Sequence, residues 1–359
     1  MKDIYNYNLA DHIKKIIRVN GPISVAHYMS ETTLNPNFGY YISEHPIGST
    51  GDFITAPEIS QMFGEIIGLW FGNIWLEMKK PKDFNFIELG PGKGTLMSDA
   101  LRALNIIPNI IPSANIHLVE ISEVLKNNQK TILSNYNVKW HNHISQIPNK
   151  LSYFIANEFF DSLPIHQFEL TSLGWAERYI SINQEEEFCF VKGNISNLDA
   201  LTKLKLPVGS IVEISPSTIS LIEEIGKILK TYNGVCLLID YGDSASSNVS
   251  TLQGIRNHKK YNILKEQGKI DISAHVDFKS ISKIAKKNGL SVYGPTQQGK
   301  FLTNLGIIER SRSLIKNSPK KEEIINNQLN RLIDETQMGK LFKVMALYSG
   351  SLFDIPGFN

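Results

Sequence analysis

Two carboxylates and three glycines stand where strand-to-helix transitions are expected. Glu88 precedes the turn Gly90-Pro91-Gly92-Lys93-Gly94-Thr95, and Glu120 closes the next apolar run, IHLVEI. A phosphate loop needs four residues between its first glycine and a Gly-Lys-Ser/Thr end; here Lys93 is followed by Gly94, so that chemistry fails. A dinucleotide turn spaces its glycines Gly-x-Gly-x-x-Gly and receives pyrophosphate at a helix N-terminus. This chain has Gly-x-Gly-x-Gly, with Glu88 two places before the first glycine. A carboxylate there repels pyrophosphate and suits an ammonium group, while alternate glycines let the backbone approach a ligand closely. Glu120 is placed to accept the hydroxyls of a ribose. Ammonium, ribose and no pyrophosphate together describe S-adenosylmethionine, and the expected donor-binding residues are Glu88, Gly90, Gly92, Gly94 and Glu120.

A methyl donor needs an aligned acceptor atom with a lone pair. The block IANEFFDSLPIHQF follows the fourth expected strand. Its Asn157, Glu158 and Asp161 are the candidate catalytic residues. Two carboxylates three residues apart suit a planar cation: a guanidinium offers five donors and stays protonated at neutral pH. Glu158 and Asp161 would localise its charge on two nitrogens while the third attacks. Asp161 as a helix or turn cap, with Phe159 and Phe160 in the core, is the competing reading.

Weaker candidates surround these. In GDFITAPEIS, Thr55 and Glu58 have the spacing of a capping box. The same segment would alternatively close over donor and substrate through Asp52, Thr55 and Glu58. Asp240 and Tyr241 end the fifth strand, where substrate contacts are expected, although Asp240 is equally suited to hydrogen-bond a neighbouring loop. His275 in DISAHVDF is a candidate substrate contact or proton carrier, against a simple helix cap. WHNH at 140–143 offers two histidines without the further ligands a zinc site needs, so no metal is expected. Trp140 is a candidate for the adenine pocket.

Composition narrows the class. A formal net charge of +2 over 359 residues gives no basic face for nucleic acid or a membrane surface. The two cysteines, Cys189 and Cys236, make neither a disulfide framework nor a metal set, and point to a reducing compartment. The N-terminal stretch carries Asp3 and Asp11 and lacks an apolar core, unlike a secretory leader. Gln61, Glu65, Asn73 and Glu77 interrupt the most apolar helix, so no membrane insertion is expected. These features suggest a bacterial cytoplasmic protein.

The elements that must position these groups follow from periodicity. From Phe84 onward short apolar runs (FNFIEL, IHLVEI, NVKWH, LSYFIAN, GVCLLIDYG) alternate with helical patterns, which indicates a doubly wound, mostly parallel α/β sheet. WAERYISI and EEFCFVKG read as added antiparallel strands, and LSVYGP with LFKVMALYS as a closing antiparallel pair. The expected organisation is an N-terminal helical cap (1–80), the first half of a Rossmann-like core (81–168) and an inserted α+β lobe of antiparallel strands (169–215). The second half of the core (216–349), with a polar loop insertion at 243–270, and a short tail (350–359) complete it.

The blocks GDFITAPEISQMFGE, IELGPGKGTLMSD, VEIS, ANEFFDSLPIHQF, LLIDYG, TLQG, DISAHVDF and MGKLFKVMAL together resemble the MidA-type family, from about Gly21 to Leu347. That family comprises S-adenosylmethionine-dependent protein arginine methyltransferases associated with assembly of respiratory complex I. The resemblance implies a class I methyltransferase fold and symmetric dimethylation of an arginine on the 49-kDa-type subunit of complex I or its bacterial counterpart. It maps Glu88, Gly90, Gly92 and Gly94 onto the donor loop, Glu120 onto the ribose position, and Asn157, Glu158 and Asp161 onto the post-strand block. Lys93 stands where arginine is common. A methyltransferase for another acceptor, or an assembly chaperone that retains the donor site, are the alternatives.

Overall fold

The computed structural model describes residues 7–42, 54–196, 198–243, 248–256, 259–350 and 354–358. Asp52 lies outside the described residues. The chain divides into two units: Ile54–Phe160, Leu221–Ser244 and Val276–Asn359 form one, and Met1–Phe53, Asp161–Ser220 and Ala245–His275 the other.

The first unit is built on one sheet. Its main strands are β1 (Phe84–Leu89), β2 (Ala114–Val119), β3 (Val138–His141), β4 (Ser152–Asn157), β5 (Gly234–Asp243), β6 (Ser291–Gln297) and β7 (Phe342–Ser349), and the two-residue strand Val276–Asp277 pairs in parallel with the end of β5. They lie in the order β3-β2-β1-β4-β5-β7-β6, and only the pairings of β7 are antiparallel. Every residue of β1 and β4 is buried, which is why both read as unbroken runs rather than alternating ones. Chain order reverses between β1 and β4. At that switch point the carboxyl ends of neighbouring strands leave room for a ligand, and both blocks singled out in the sequence leave the sheet there.

A helix over Gln61–Glu77 is buried on most sides, with Trp70, Phe71 and Trp75 in the same apolar core as β1 and β4. Gly64, Gly68 and Gly72 recur every fourth residue and form the stripe along which this helix meets Thr95–Leu104. A Cβ at Gly68 would lie 2.6 Å from the Ala100 Cα, and one at Gly64 2.6 Å from the Asp99 Cβ. Residues 54–78, which the sequence groups with an N-terminal cap, therefore pack as part of the sheet unit. An ion cluster around two buried carboxylates ties these helices to a third, Ile307–Asn317: Glu65 accepts from Arg102 at 2.9 Å and from Arg310 at 2.7 Å, and Arg102 reaches Asp99 at 2.7 Å.

The second unit is smaller. Helix Leu9–Asn20 opens on a capping box between Asn8 and Asp11. An antiparallel sheet follows in which Gly174–Ile182 pairs with Ile23–Ser24, His166–Thr171 and Phe188–Ser196, and Ile211–Ile214 borders His166–Thr171. Both strands expected in the inserted segment are present. The stretch 243–270, expected as polar loop, contains the strands Gln253–Arg256 and Lys259–Tyr261, the first of which also pairs with Asp271–Ser273. All three residues of Lys259–Tyr261 are exposed, so the segment carries no alternating apolar signal. Among the described residues no helix is long and apolar enough to cross a membrane.

Candidate active site

The donor turn leaves β1 through Gly90 (φ 61°), Gly92 (φ 53°) and Gly94 (φ 87°), all in the left-handed region that a side chain disfavours. The Gly90 N–H donates to the Val119 carbonyl at 3.0 Å and the Gly94 N–H to Pro91 at 2.8 Å, closing the turn. A Cβ at Gly90 would lie 2.6 Å from the Phe159 ring, and one at Gly94 3.2 Å from the Gln129 side chain. The turn is thus pressed against both flanking blocks.

Glu88 is 2% exposed, and its Oε2 has no hydrogen-bond partner among the described residues. Burial pushes its pKa up to about 8; a bond from the Met97 backbone N–H opposes the shift and the charge of Glu120 adds to it. A buried carboxylate oxygen without a donor, beside a glycine cradle, fits the ammonium group of S-adenosylmethionine. Glu120 follows β2 and is also buried. Its Oε1 accepts from the Ser122 N–H at 2.8 Å and its Oε2 from Gln129 Nε2 at 3.3 Å. Burial raises this carboxyl as well, against the opposing bonds from Ser122 and Gln129.

Gln129 went unread in the sequence. It is fully buried, donates to the Gly92 carbonyl at 2.7 Å, and accepts from Trp140 Nε1 at 2.9 Å. The available signal was a glutamine on the apolar stripe Leu125, Gln129, Leu133, all of which are buried. Trp140, expected at the adenine, lies in β3 with its indole N–H on this amide.

On the acceptor side, Asn157 ends β4 and Glu158 follows with φ 50°, a conformation rare outside glycine. The Glu158 N–H donates to the Ile239 carbonyl at 2.8 Å. Its Oε1 accepts from the Ala56 N–H at 3.1 Å and from Asn157 Nδ2 at 3.3 Å. Asp240 and Tyr241, expected to end the fifth strand, lie inside it, as β5 runs on to Asp243; buried Asp240 receives the N–H groups of Phe160 at 2.9 Å and Phe159 at 3.2 Å on one oxygen and that of Tyr241 at 2.9 Å on the other. It holds the turn that carries Glu158. Tyr241 packs edge-on against Phe342, with ring centroids 5.6 Å apart.

The capping box expected of TAPE does not form. Thr55 precedes a short turn, Ala56–Ile59, and makes no side-chain cap bond; the helix then restarts, with the Ser60 hydroxyl accepting from the Met62 N–H. Tertiary partners outcompete the local motif. The Glu58 carboxylate is taken by the Thr95 hydroxyl and by Lys93 Nζ at 3.3 Å, both on the donor turn. The TAPE segment consequently touches both blocks: Glu58 the donor turn, and the Ala56 N–H Glu158.

Asp161 and His275 belong to the second unit. Asp161 lies buried in the short turn Phe160–Ser162, where its carbonyl accepts from the Ala274 N–H at 2.9 Å. In the same unit the Tyr41 hydroxyl donates to Asp271 at 2.8 Å. Burial, reinforced by the charges of Asp271 and Asp161, holds that phenol well above its ordinary range. The His275 N–H donates to the Thr251 hydroxyl at 2.9 Å, and the helix Phe278–Lys287 is capped by Asp277 instead, so His275 is not its cap. His141 of WHNH meets His117 at 2.9 Å, and no group of three or more metal-ligating side chains occurs among the described residues.

A parallel sheet with one antiparallel strand, a glycine turn at its switch point, and buried carboxylates ending β1 and following β2 define a class I nucleoside-binding methyltransferase fold. The chain belongs to the family described as "Putative S-adenosyl-L-methionine-dependent methyltransferase", which matches residues 66–296. It is 34% identical to the Xenopus laevis protein named "Protein arginine methyltransferase NDUFAF7, mitochondrial", over 94% of this chain and 84% of that protein. It is 32% identical to the Homo sapiens protein of that name, over 94% and 82%. A Burkholderia thailandensis protein solved with S-adenosyl-homocysteine bound has the same fold, with a TM-score of 0.83 and 23% identity over 96% of this chain and 93% of that one. The protein is a methyltransferase that uses S-adenosylmethionine.

Proposed function

We propose that the methyl acceptor is an arginine of a protein substrate, with Glu158 as the carboxylate that receives the guanidinium. The observation that carries this is the contact between the two blocks: the Phe159 ring fills the space where Gly90 would bear a side chain, so the residue after Glu158 packs directly on the donor turn. The names of the relatives support the same acceptor.

When bound, S-adenosylmethionine supplies a methyl group made electrophilic by its sulfonium. Glu88 holds the ammonium and Glu120 the ribose hydroxyls. Glu158 is pinned by Ala56 and Asn157 through one oxygen, and the carboxylate accepts N–H bonds from the guanidinium. Such bonds localise positive charge on two nitrogens and leave the third with a lone pair for attack. A guanidinium is protonated at neutral pH, so a base must take a proton as the new bond forms, and Glu158 serves. Asp240 keeps the turn in place while this occurs.

The substrate in this reading is the 49-kDa-type subunit of respiratory complex I or its bacterial counterpart, and the product is symmetric dimethylarginine. Both rest on the family resemblance. The same reading places the enzyme in a reducing compartment, the bacterial cytoplasm or the mitochondrial matrix, in keeping with two free cysteines. The test is the Glu158→Gln variant with that subunit as substrate, read by mass spectrometry of its arginines. Turnover should fall about 100-fold or more while S-adenosylhomocysteine still binds. Wild-type turnover in the variant would remove Glu158 from the reaction.

A further inference from the structure

We propose that Gln129 is a donor-positioning residue that aligns the ribose-binding carboxylate with the glycine turn and sets the preference for an intact ribose. The inference rests on the donor-site reading above. Each partner of this amide is a part of that site. Nε2 donates to the Gly92 carbonyl at 2.7 Å and to Glu120 Oε2 at 3.3 Å, and Oε1 accepts from Trp140 at 2.9 Å. The side chain's carbon stem also lies under Gly94, where a Cβ would come within 3.2 Å of it.

Only an amide meets all three demands, because it carries two donors and an acceptor on one rigid plane. A carboxylate would accept from Trp140 but repel Glu120, whose own ionisation burial already disfavours. A methionine would fill the volume and satisfy none of them. Glu120 is therefore clamped on both oxygens, by the Ser122 N–H on Oε1 and by Gln129 on Oε2. The Ile121 backbone also bonds this carboxylate, and the clamp fixes where its remaining lone pairs point. That arrangement suits two adjacent hydroxyls on a ribose.

The experiment compares S-adenosylhomocysteine with its 2′-deoxyribose analogue by calorimetric titration of the full chain. The proteins are wild type, Gln129→Met, Trp140→Phe and, as a control, Asn128→Ala at an exposed position of the same helix. Wild type and the control should bind the parent compound and lose affinity for the deoxy analogue. Gln129→Met should weaken the parent about tenfold or more and bind both compounds with nearly equal affinity, since a released Glu120 no longer favours the hydroxyl. Trp140→Phe removes one bond from the amide and should show a smaller change in the same direction, which keeps the test open if Gln129→Met fails to fold. A deoxy penalty of the same size in wild type and both variants overturns the positioning role, as a merely structural glutamine would lower stability without changing that ratio. If wild type binds neither compound, the donor-site reading itself fails and takes the inference with it.

Discussion

With Glu88 holding the ammonium, as proposed, its buried carboxylate would make donor binding a proton-releasing event. Burial pushes its pKa up to about 8, from an ordinary value of 4.5. At pH 7 roughly nine molecules in ten then carry a neutral carboxyl. An ammonium placed beside Oε2 favours the charged form and pulls the pKa down, so the proton leaves as the ligand arrives. About 0.9 proton should be released per ligand at pH 7, and forcing that ionisation weakens binding about tenfold, or 1.4 kcal/mol. Affinity should therefore rise with pH towards 8, until the ligand's own ammonium titrates. Stability runs the other way. A carboxyl whose folded pKa lies above its unfolded one stabilises the free protein fully below about pH 4.5, and that contribution is lost as pH rises through about 8. The rise in melting temperature on adding S-adenosylhomocysteine should accordingly grow across this window. The assay is calorimetric titration with S-adenosylhomocysteine at pH 7 in phosphate and in Tris, whose ionisation heats differ and so report the protons exchanged. The Glu88→Gln variant should bind weakly and release none. Equal heats in the two buffers for wild type, or undiminished release from the variant, would refute the assignment of Glu88 to the ammonium.

Gly90→Ala places a Cβ at φ 61° and 2.6 Å from the Phe159 ring. A left-handed residue alone costs about 1–2 kcal/mol, so the melting temperature should drop by several degrees and the response to S-adenosylhomocysteine should disappear; an unchanged response would mean the turn can move aside. Asp240→Asn leaves backbone N–H groups facing an amide instead of a carboxylate, and turnover should fall while S-adenosylhomocysteine binding survives. Parallel loss of both in the same titration would show that Asp240 supports the whole sheet end and not the Glu158 turn alone. Burial, helped by the neighbouring charge of His141, lowers the His117 pKa to about 4. A histidine held neutral in this way stabilises the fold above its unfolded pKa of about 6.5, and that contribution is lost as pH falls through about 4. In a His117→Phe variant the melting temperature should fall less steeply over that range, and an acid limb identical to wild type would exclude the histidine pair as its source.

The central parallel strands were legible as elements because β1 and β4 are buried on both faces and must read as unbroken apolar runs, whereas their order in the sheet was not. The glycine turn was legible for a different reason: three alternate left-handed positions, Gly90, Gly92 and Gly94, almost require glycine. What escaped is what depends on partners distant in sequence. The helix Gln61–Glu77 announced itself by composition, yet its partner is set by Gly64 and Gly68 lying against Asp99 and Ala100, a pairing no local pattern encodes. Thr55 and Glu58 had capping-box spacing, and the box lost to Thr95 and Lys93 once the chain folded. Gln129 looked like an ordinary polar residue on a helix.

Glu158 was read as a candidate in the sequence, but its conformation was not legible there. A glutamate at φ 50° occupies a region that costs about 1–3 kcal/mol, and it persists only where its surroundings over-determine it. In those surroundings Ile239 takes its N–H, Ala56 and Asn157 hold one carboxylate oxygen, and Asp240 anchors the next two amides. Glycine at this position would relieve the strain and remove the carboxylate with it. The fold accepts the cost and keeps the acid, with its carboxylate held by the same segment that grips the donor turn through Glu58. That linkage makes the TAPE segment a bridge between the glycine turn and the Glu158 turn, so a change at Glu58 should be felt at Glu158.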